Sequence, residues 1–302
     1  MSESRRGFFL GAAAYTMWGL FPLYWTLLKP AGALEILAHR VFWSLAVMVA
    51  LVVVLRRQRS FRAIVADRRT RGFLLVAAVV IAFNWGGYIW GVNNGHVVET
   101  SLGYFINPLV TVLMGVFIIG ERLRRLQWVA MGIAFVAVVA LTLELGRPPW
   151  VALVLAFSFG SYGLAKKKAN AGAVESLALE TLVLAPVALG YLLFLTSQGS
   201  STYTQEGPGH ALLLMSTGVI TAIPLICFGA AATRVSMTTL GLLQYLAPTL
   251  QFALGVFVFH EPMPLPRLLG YVLVWAALAV FTVEAVQHRR RQLRLTAEAA
   301  AL

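Results

Sequence analysis

The sequence predicts an all-α integral membrane protein with ten transmembrane helices, arranged as two inverted five-helix repeats. Three observations support this fold class: long apolar segments, a second half that repeats the first, and basic residues confined to one side. Of the 302 residues, 59% are hydrophobic and only 12% are charged, and the mean hydropathy is +0.79. A soluble domain averages about 25% charged residues. Most segments of this chain therefore have no side suited to water.

Apolar segments of about 18 or more residues, enough to cross a hydrocarbon layer about 30 Å thick, recur along the chain. Because the bilayer offers no water to the backbone, each span must be a helix. We predict ten spans, at residues 7–27, 34–55, 72–92, 98–119, 127–145, 149–165, 175–195, 211–232, 239–259 and 266–286.

The second half of the chain resembles the first half at an offset of 140 residues. Pro108 falls on Pro248, and Glu121 falls on Glu261. A constant offset over many positions indicates a duplicated unit. Since five spans per half is an odd number, the second unit starts on the opposite side of the membrane. We predict a first repeat at 5–146, an inverted second repeat at 147–288, and a basic tail at 289–302.

The net charge of +12 is distributed unevenly over this topology. With the N-terminus in the cytoplasm, 20 Lys and Arg residues fall in cytoplasmic segments and three fall in external ones. This bias follows the positive-inside rule. We therefore expect a plasma-membrane protein with both termini in the cytoplasm. Its basic residues would contact anionic lipid head groups, and no nucleic acid is expected because the basic clusters are short loops without interleaved aromatic residues.

Predicted helices 1 and 2 carry the first candidate site residues. Trp18 lies in a stretch loosened by glycine and proline, and Glu35 and His39 share one face of helix 2 because they are four residues apart. Arg40 lies about 100° further around that helix. An arginine facing lipid costs at least about 2.5 kcal/mol, so we expect Arg40 to face a polar cavity. The alternative is that it reaches the outer head groups.

Predicted helices 3 and 4 bring polar groups to mid-membrane. Asn84 and Trp85 lie inside helix 3, and Tyr104 and Asn107 flank Pro108 in helix 4. Proline removes a backbone donor. Interruptions at matching positions of two halves are the best sequence pointer to a transporter's binding site, although a structural kink is the alternative.

Glu121 follows predicted helix 4 on the cytoplasmic side. It stands beside Arg122, Arg124 and Arg125. We expect a surface ion pair there rather than a role in carrying protons.

The second half contains the counterparts of these groups. Tyr162 stands in helix 6 where Trp18 stands in helix 1, and Glu180 lies close to the register of Arg40. Glu180 is an acidic residue that lies well inside the predicted spans of this half, and two placements of its side chain stay open. It could pair with Arg40 across a central cavity, or it could bond to Thr181 or Lys168 near the cytoplasmic edge.

Predicted helix 9 repeats the proline of helix 4. Gln244 and Tyr245 precede Pro248 there, and we expect Pro108 and Pro248 to act as hinges or kinks. In the candidate site, aromatic side chains would hold apolar or cationic groups, and Arg40 would hold a carboxylate. The candidate substrate-binding residues are Trp18, His39, Arg40, Asn84, Trp85, Tyr104, Asn107, Tyr162, Glu180, Gln244 and Tyr245.

These motifs together are similar to a known family. The stretches that carry the likeness are Glu35-Ile-Leu-Ala-His-Arg40, Asn84-Trp85, Ser101-Leu-Gly-Tyr-Phe-Ile-Asn-Pro-Leu109, Gly120-Glu-Arg122, Glu180-Thr181 and Gln244-Tyr245. The chain resembles the EamA repeats of the drug/metabolite transporter superfamily, and most closely its RarD branch. This resemblance implies ten helices, cytoplasmic termini, a plasma-membrane location and export of small organic solutes. It implies no particular substrate.

The sequence therefore predicts a secondary transporter of small organic metabolites or drug-like solutes that works by alternating access. Two alternatives stay open: an intramembrane enzyme acting on lipid-linked substrates, and a membrane subunit that binds without transporting. The sequence contains no P-loop, no HExxH motif and no nucleophile elbow, so we expect no enzymatic activity, cofactor or metal. The expected partners are a small-molecule substrate and membrane lipids, and a homodimer stays open.

Overall fold

The computed structural model describes residues 2–94, 97–145 and 147–258, together with scattered residues from 260 to 287. Every regular element within these ranges is helical. The α-helices are α1 (Glu3–Trp25), α2 (Ala33–Val54), α3 (Gln58–Ala66), α4 (Arg68–Asn93), α5 (Val97–Met114), α6 (Arg125–Leu145), α7 (Trp150–Ala169), α8 (Ala173–Ser197), α9 (Thr202–Gln205), α10 (Pro208–Ala232), α11 (Met237–Leu243) and α12 (Leu246–Phe257).

Six helical segments of the described chain are long and apolar enough to cross a bilayer. They are Ala33–Val54, Arg68–Tyr88, Leu102–Ile119, Ala173–Ser197, Pro208–Ala232 and Met237–Phe257. Large apolar side chains cover the outside of the bundle. Phe83, Phe117 and Val187 are 67%, 77% and 77% exposed, as expected for side chains that face lipid rather than water. The count of ten spans stays a prediction, and nine of the 21 residues of the tenth predicted span lie outside the described residues.

Helices from the two halves of the sequence pack against each other. In the first half, α4 and α5 both pack on α7, while α2 packs on α8 and α10, and α1 packs on α10 and α12. Small residues permit the closest approaches. At Gly218 in α10, an added Cβ would lie 2.6 Å from the backbone oxygen of Trp43 in α2. The interior is therefore formed between the halves rather than within each half.

Two helices are interrupted near the centre of the molecule. Pro108 lies inside α5, which continues to Met114 and ends in a π-helical turn, Gly115–Ile119. In the second half the α-helical hydrogen-bond pattern is interrupted at Gln244 and Tyr245, between α11 and α12, although both residues keep helical dihedral angles. Pro248 has no N–H, and the Gln244 carbonyl instead accepts a hydrogen bond from the Ala247 N–H at 3.3 Å. The proposed hinge role of both prolines stays a prediction.

The short helix α9 lies between α8 and α10 and is held against α2 by one carboxylate. Glu35 Oε1 accepts hydrogen bonds from the Thr202 N–H at 2.8 Å and the Ser201 hydroxyl at 3.1 Å. Its Oε2 accepts from the Thr202 hydroxyl at 2.9 Å. Glu35 is thereby bound at the start of α9, and it is buried there.

Candidate functional site

A cavity of about 330 Å³ lies among helices of both halves. Ligand-binding cavities usually measure about 300–1,000 Å³. Its wall is formed by α1, α2, α4 and α5 from the first half and by α7, α10, α12 and the α11–α12 break from the second. Most of the sequence-predicted site residues line it, namely Trp18, Arg40, Asn84, Trp85, Tyr104, Asn107 and Gln244.

The guanidinium group of Arg40 is held in the cavity wall by three groups. Its Nε donates a hydrogen bond to the Thr221 hydroxyl at 3.0 Å. Its central carbon lies 4.8 Å from the ring centre of Trp25 and 5.4 Å from that of Trp85. Among the residues that the structure describes, Arg40 forms no ion pair with an acid. The cavity therefore presents a positive charge that no side chain of the described residues neutralises.

The two asparagines of the site join α4 and α5 to α7. Asn84 Nδ2 donates to the Leu155 carbonyl at 2.9 Å and to the Ser158 hydroxyl at 3.0 Å. In the amide orientation that satisfies both of its groups, Asn107 donates to the carbonyls of Ala156 and Leu155, at 3.1 and 3.2 Å. A mid-membrane amide requires such partners. Both residues therefore hold the cavity wall together as well as lining it.

The polar groups of Tyr15 and Gln244 lie together behind the cavity wall. Gln244 Nε2 donates to the Thr111 hydroxyl at 2.9 Å. Gln244 Oε1 and the hydroxyl of the neighbouring Tyr15 are enclosed close to each other and have no other partner within the described chain. Both residues line the cavity, but these two atoms are not exposed to it.

Sequence reasoning missed much of the aromatic wall. Tyr15, Phe21, Trp25, Tyr88 and Phe159 also line the cavity. A usable signal was present in helix 1, because residues 15, 18, 22 and 25 recur at helical spacing and share one face.

His39 does not line this cavity. Its Nδ1 accepts a hydrogen bond from Trp43 Nε1 at 3.2 Å, and its ring stacks on Tyr203 with centres 5.0 Å apart. His39 and Arg40 are consecutive in α2, and the step of about 100° between them turns the imidazole toward the segment around α9. His39 therefore belongs to the contact between α2 and the α8–α10 connection.

Glu180 and Tyr162 form a separate buried cluster. Glu180 Oε1 pairs with Lys166 Nζ at 2.7 Å, and the Tyr162 hydroxyl donates to Glu180 Oε2 at 3.0 Å. Lys166 also donates to the Ser176 hydroxyl at 2.7 Å. Within the described chain, Glu180 therefore pairs with none of its expected partners, Arg40, Thr181 or Lys168, and its depth in the membrane stays a prediction. Tyr162 and Lys166 are four residues apart on α7, so both reach the same carboxylate on α8.

Tyr245 also lies outside the large cavity. It is 3% exposed and packs in an apolar cluster with Phe105, Leu109 and Ala134. At the interruption between α11 and α12, the two consecutive side chains point in different directions. Gln244 lines the cavity, and Tyr245 packs behind its wall.

Glu121 binds the start of another helix, so the expected surface ion pair is wrong. Its Oε1 accepts from the Met237 N–H at 2.6 Å, and its Oε2 accepts from the Thr238 N–H at 2.9 Å and the Thr238 hydroxyl at 2.8 Å. The free N–H groups of a helix N-terminus attract a carboxylate. Nearby Arg124 pairs instead with Glu284 at 2.6 Å. Glu261, the counterpart of Glu121, lies outside the described residues.

Curated proteins similar to this chain are transporters by name or proteins named RarD. A Protein RarD of Streptomyces exfoliatus is 58% identical over 99% of this chain and 95% of its own length. An uncharacterized transporter of Bacillus subtilis, YojE, is 43% identical over 96% of this chain and 97% of its own length. The chloramphenicol-sensitive protein RarD of Pseudomonas aeruginosa is 31% identical over 97% of this chain and 99% of its own length.

The fold has also been observed in a solved structure. A crystal structure with 19% sequence identity superimposes with a TM-score of 0.70 and covers 93% of this chain and 98% of its own. The model of the EamA-like transporter family matches residues 5–143 and 148–283. The chain is therefore a membrane transporter that belongs to the EamA-like family of the drug/metabolite transporter superfamily, in its RarD branch.

Proposed function

We propose that this protein is a secondary transporter that exports small organic metabolites or drug-like solutes across the plasma membrane by alternating access. In this proposal the repeats at 5–146 and 147–288 each contribute five spans of opposite orientation, and both termini lie in the cytoplasm. The protein has no enzymatic activity of its own. Transport uses the central cavity, and the substrate-binding residues are those that line it.

The observation that carries the proposal is a central cavity built from both halves of the chain. In carriers made of inverted repeats, the substrate site lies near the membrane midplane at the interface of the repeats. Here α1, α2, α4 and α5 face α7, α10 and α12 across the cavity. A rocking motion of one half against the other would change which side of the membrane the cavity opens to.

The contacts around the cavity support an outward-facing arrangement. In the proposed orientation, Trp25 and Tyr88 lie near the external ends of α1 and α4, and both line the cavity. Toward the cytoplasm the passage is filled by aromatic rings: Trp18 packs on Phe159 and Phe228 with centres 5.9 and 5.6 Å apart. The Glu121 contact with the start of α11 lies beyond them, on the cytoplasmic side.

Solute flux in reconstituted vesicles tests this proposal. Purified protein would be inserted into liposomes and assayed with a panel of labelled organic solutes, with and without a pH gradient. We expect saturable flux of at least one solute, lost in Arg40→Gln and kept in Arg62→Gln, because Arg62 is exposed on α3 and no residue of α3 lines the cavity. Absence of flux across the panel would contradict the proposal. Metal-dependent turnover of a lipid-linked substrate would favour an enzyme instead.

A further inference from the structure

We infer that the cavity selects organic acids that carry one carboxylate, no positive charge and an apolar body. This inference rests on the proposed function and names the class of substrate. It excludes zwitterionic amino acids and cationic solutes, although aromatic walls alone would accept a cation.

The balance of buried charge sets the charge of the ligand. Arg40 lines the cavity without an acid partner in the described part of the chain. The nearby buried ions, Lys166 and Glu180, neutralise each other at 2.7 Å, and each side chain is 2% exposed. Glu35 and Glu121 are bound at the starts of α9 and α11. A single positive charge therefore remains at the cavity, and because an unpaired buried charge is costly, one negative charge is the favoured complement.

The packing of Arg40 determines how that negative group binds. Indole rings of Trp25 and Trp85 lie 4.8 and 5.4 Å from the guanidinium carbon, and Nε is used by Thr221. The two terminal nitrogens have no hydrogen-bond acceptor among the described residues. Guanidinium groups bind carboxylates through two parallel N–H···O bonds. The indoles and the Thr221 hydroxyl fix the group so that its terminal edge remains available for such a pair.

Within the described residues, the wall presents no carboxylate to a positive charge. No Asp or Glu lines the cavity as the structure describes it. The rings of Trp25 and Trp85 already bind the Arg40 guanidinium, and Trp18 packs edge-on against Phe159. An ammonium group on the ligand would lie close to Arg40 without a counter-charge. Repulsion and desolvation therefore disfavour amino acids relative to the corresponding simple acids.

The rest of the wall is largely apolar. Rings such as Trp18 and Phe21 line it, which suits an aromatic or aliphatic body attached to the carboxylate. The Tyr15 hydroxyl and Gln244 Oε1 are enclosed beside each other, so they are not exposed to a ligand in the cavity.

Three matched probes test the selectivity: 3-(4-hydroxyphenyl)propanoate, its neutral amide, and tyrosine, which adds only an ammonium group. Binding to the purified, unmodified protein would be measured by calorimetry, and flux would be measured in proteoliposomes. We expect the acid to bind at least about tenfold more tightly than the amide or tyrosine, because only the acid brings a carboxylate to Arg40 without adding a positive charge. Arg40→Gln should abolish the preference, while Arg62→Gln should preserve it.

The outcomes separate this inference from the proposed function. Equal or tighter binding of the amide or tyrosine, or no binding of the acid at millimolar concentration, would overturn the inference. Flux of tyrosine or the amide without flux of the acid would overturn it while supporting transport. Selective binding of the acid without flux of any solute would support the inference and contradict transport.

Discussion

Removing the charge of Glu180 should strongly destabilise the fold. Glu180 and Lys166 are each 2% exposed, and their charged atoms are 2.7 Å apart. In Glu180→Gln the side chain keeps its shape and can still accept the hydrogen bond from the Tyr162 hydroxyl. The Lys166 ammonium, however, remains buried with no counter-charge and only the Ser176 hydroxyl as an acceptor. Removing one partner of a buried ion pair costs about 3–5 kcal/mol. We expect Glu180→Gln to lower the unfolding free energy by an amount in this range.

A double-mutant cycle isolates the contribution of the pair. Lys166→Met alone should also cost about 3–5 kcal/mol, because it leaves the Glu180 carboxylate buried with only Tyr162 as donor. The double variant Lys166→Met/Glu180→Gln contains no buried charge at this position. It should therefore be at least about 2 kcal/mol more stable than the sum of the single effects predicts. Glu3→Gln is the control, because its pair with Arg234 is exposed and should contribute less than about 1 kcal/mol.

Unfolding free energies would be measured in mixed micelles by denaturant titration, with tryptophan fluorescence as the signal. Additive single effects, or a loss under about 1 kcal/mol in Glu180→Gln, would refute the argument that the pair is a buried structural unit. Neither residue lines the large cavity. The double variant should therefore bind 3-(4-hydroxyphenyl)propanoate within about threefold of the unmodified protein, a difference of under about 1 kcal/mol. A complete loss of binding would indicate that Glu180 belongs to the substrate site.

Two further predictions concern contacts between helices. Glu121→Gln should cost about 1–3 kcal/mol of unfolding free energy, because a neutral amide replaces a carboxylate that accepts three hydrogen bonds from α11. The control is Glu206→Gln, at an exposed position. Equal stability of the two variants would contradict the capping role of Glu121. Gly218→Ala should cost at least about 1–3 kcal/mol, because the new methyl group collides with the Trp43 backbone. Gly190→Ala in α8 is the control, because the added Cβ meets no atom within 4 Å; it should stabilise the protein by about 0.5–1 kcal/mol. A thermal shift of the same sign in Gly218→Ala and Gly190→Ala would count against the close packing of α10 on α2.

The membrane character and part of the cavity were predictable because lipid imposes simple rules. Arg40 follows from the cost of an arginine facing lipid, and Asn84 from the cost of an unpaired amide. Neither rule depends on a particular packing partner. The position of Trp25 could also have been predicted, since Trp25 follows Trp18 by two helical turns. Its stacking on Arg40 could not, because it depends on how α1 and α2 both pack on α10.

The partners of Glu180 and Glu121 could not be obtained from sequence patterns. Lys166 opens a run of three lysines that is typical of a cytoplasmic anchor, and only the rotation of the last turn of α7 brings this one lysine into the interior. Glu121 binds an α-helix that begins 116 residues later. Adjacent arginines were the expected partners because they are near in sequence. The free N–H groups of α11 are closer in space and cost less to desolvate when a carboxylate binds them.

Accessibility of a single cysteine in the cavity tests alternating access most directly. The chain has one cysteine, so Cys227→Ser provides a cysteine-free background, and Tyr104→Cys then places a thiol on the cavity wall. A membrane-impermeant thiol reagent would be applied separately to the two faces of oriented vesicles. Our account predicts modification from both faces, with protection by 3-(4-hydroxyphenyl)propanoate. Modification from one face alone under all substrate and pH conditions would contradict it.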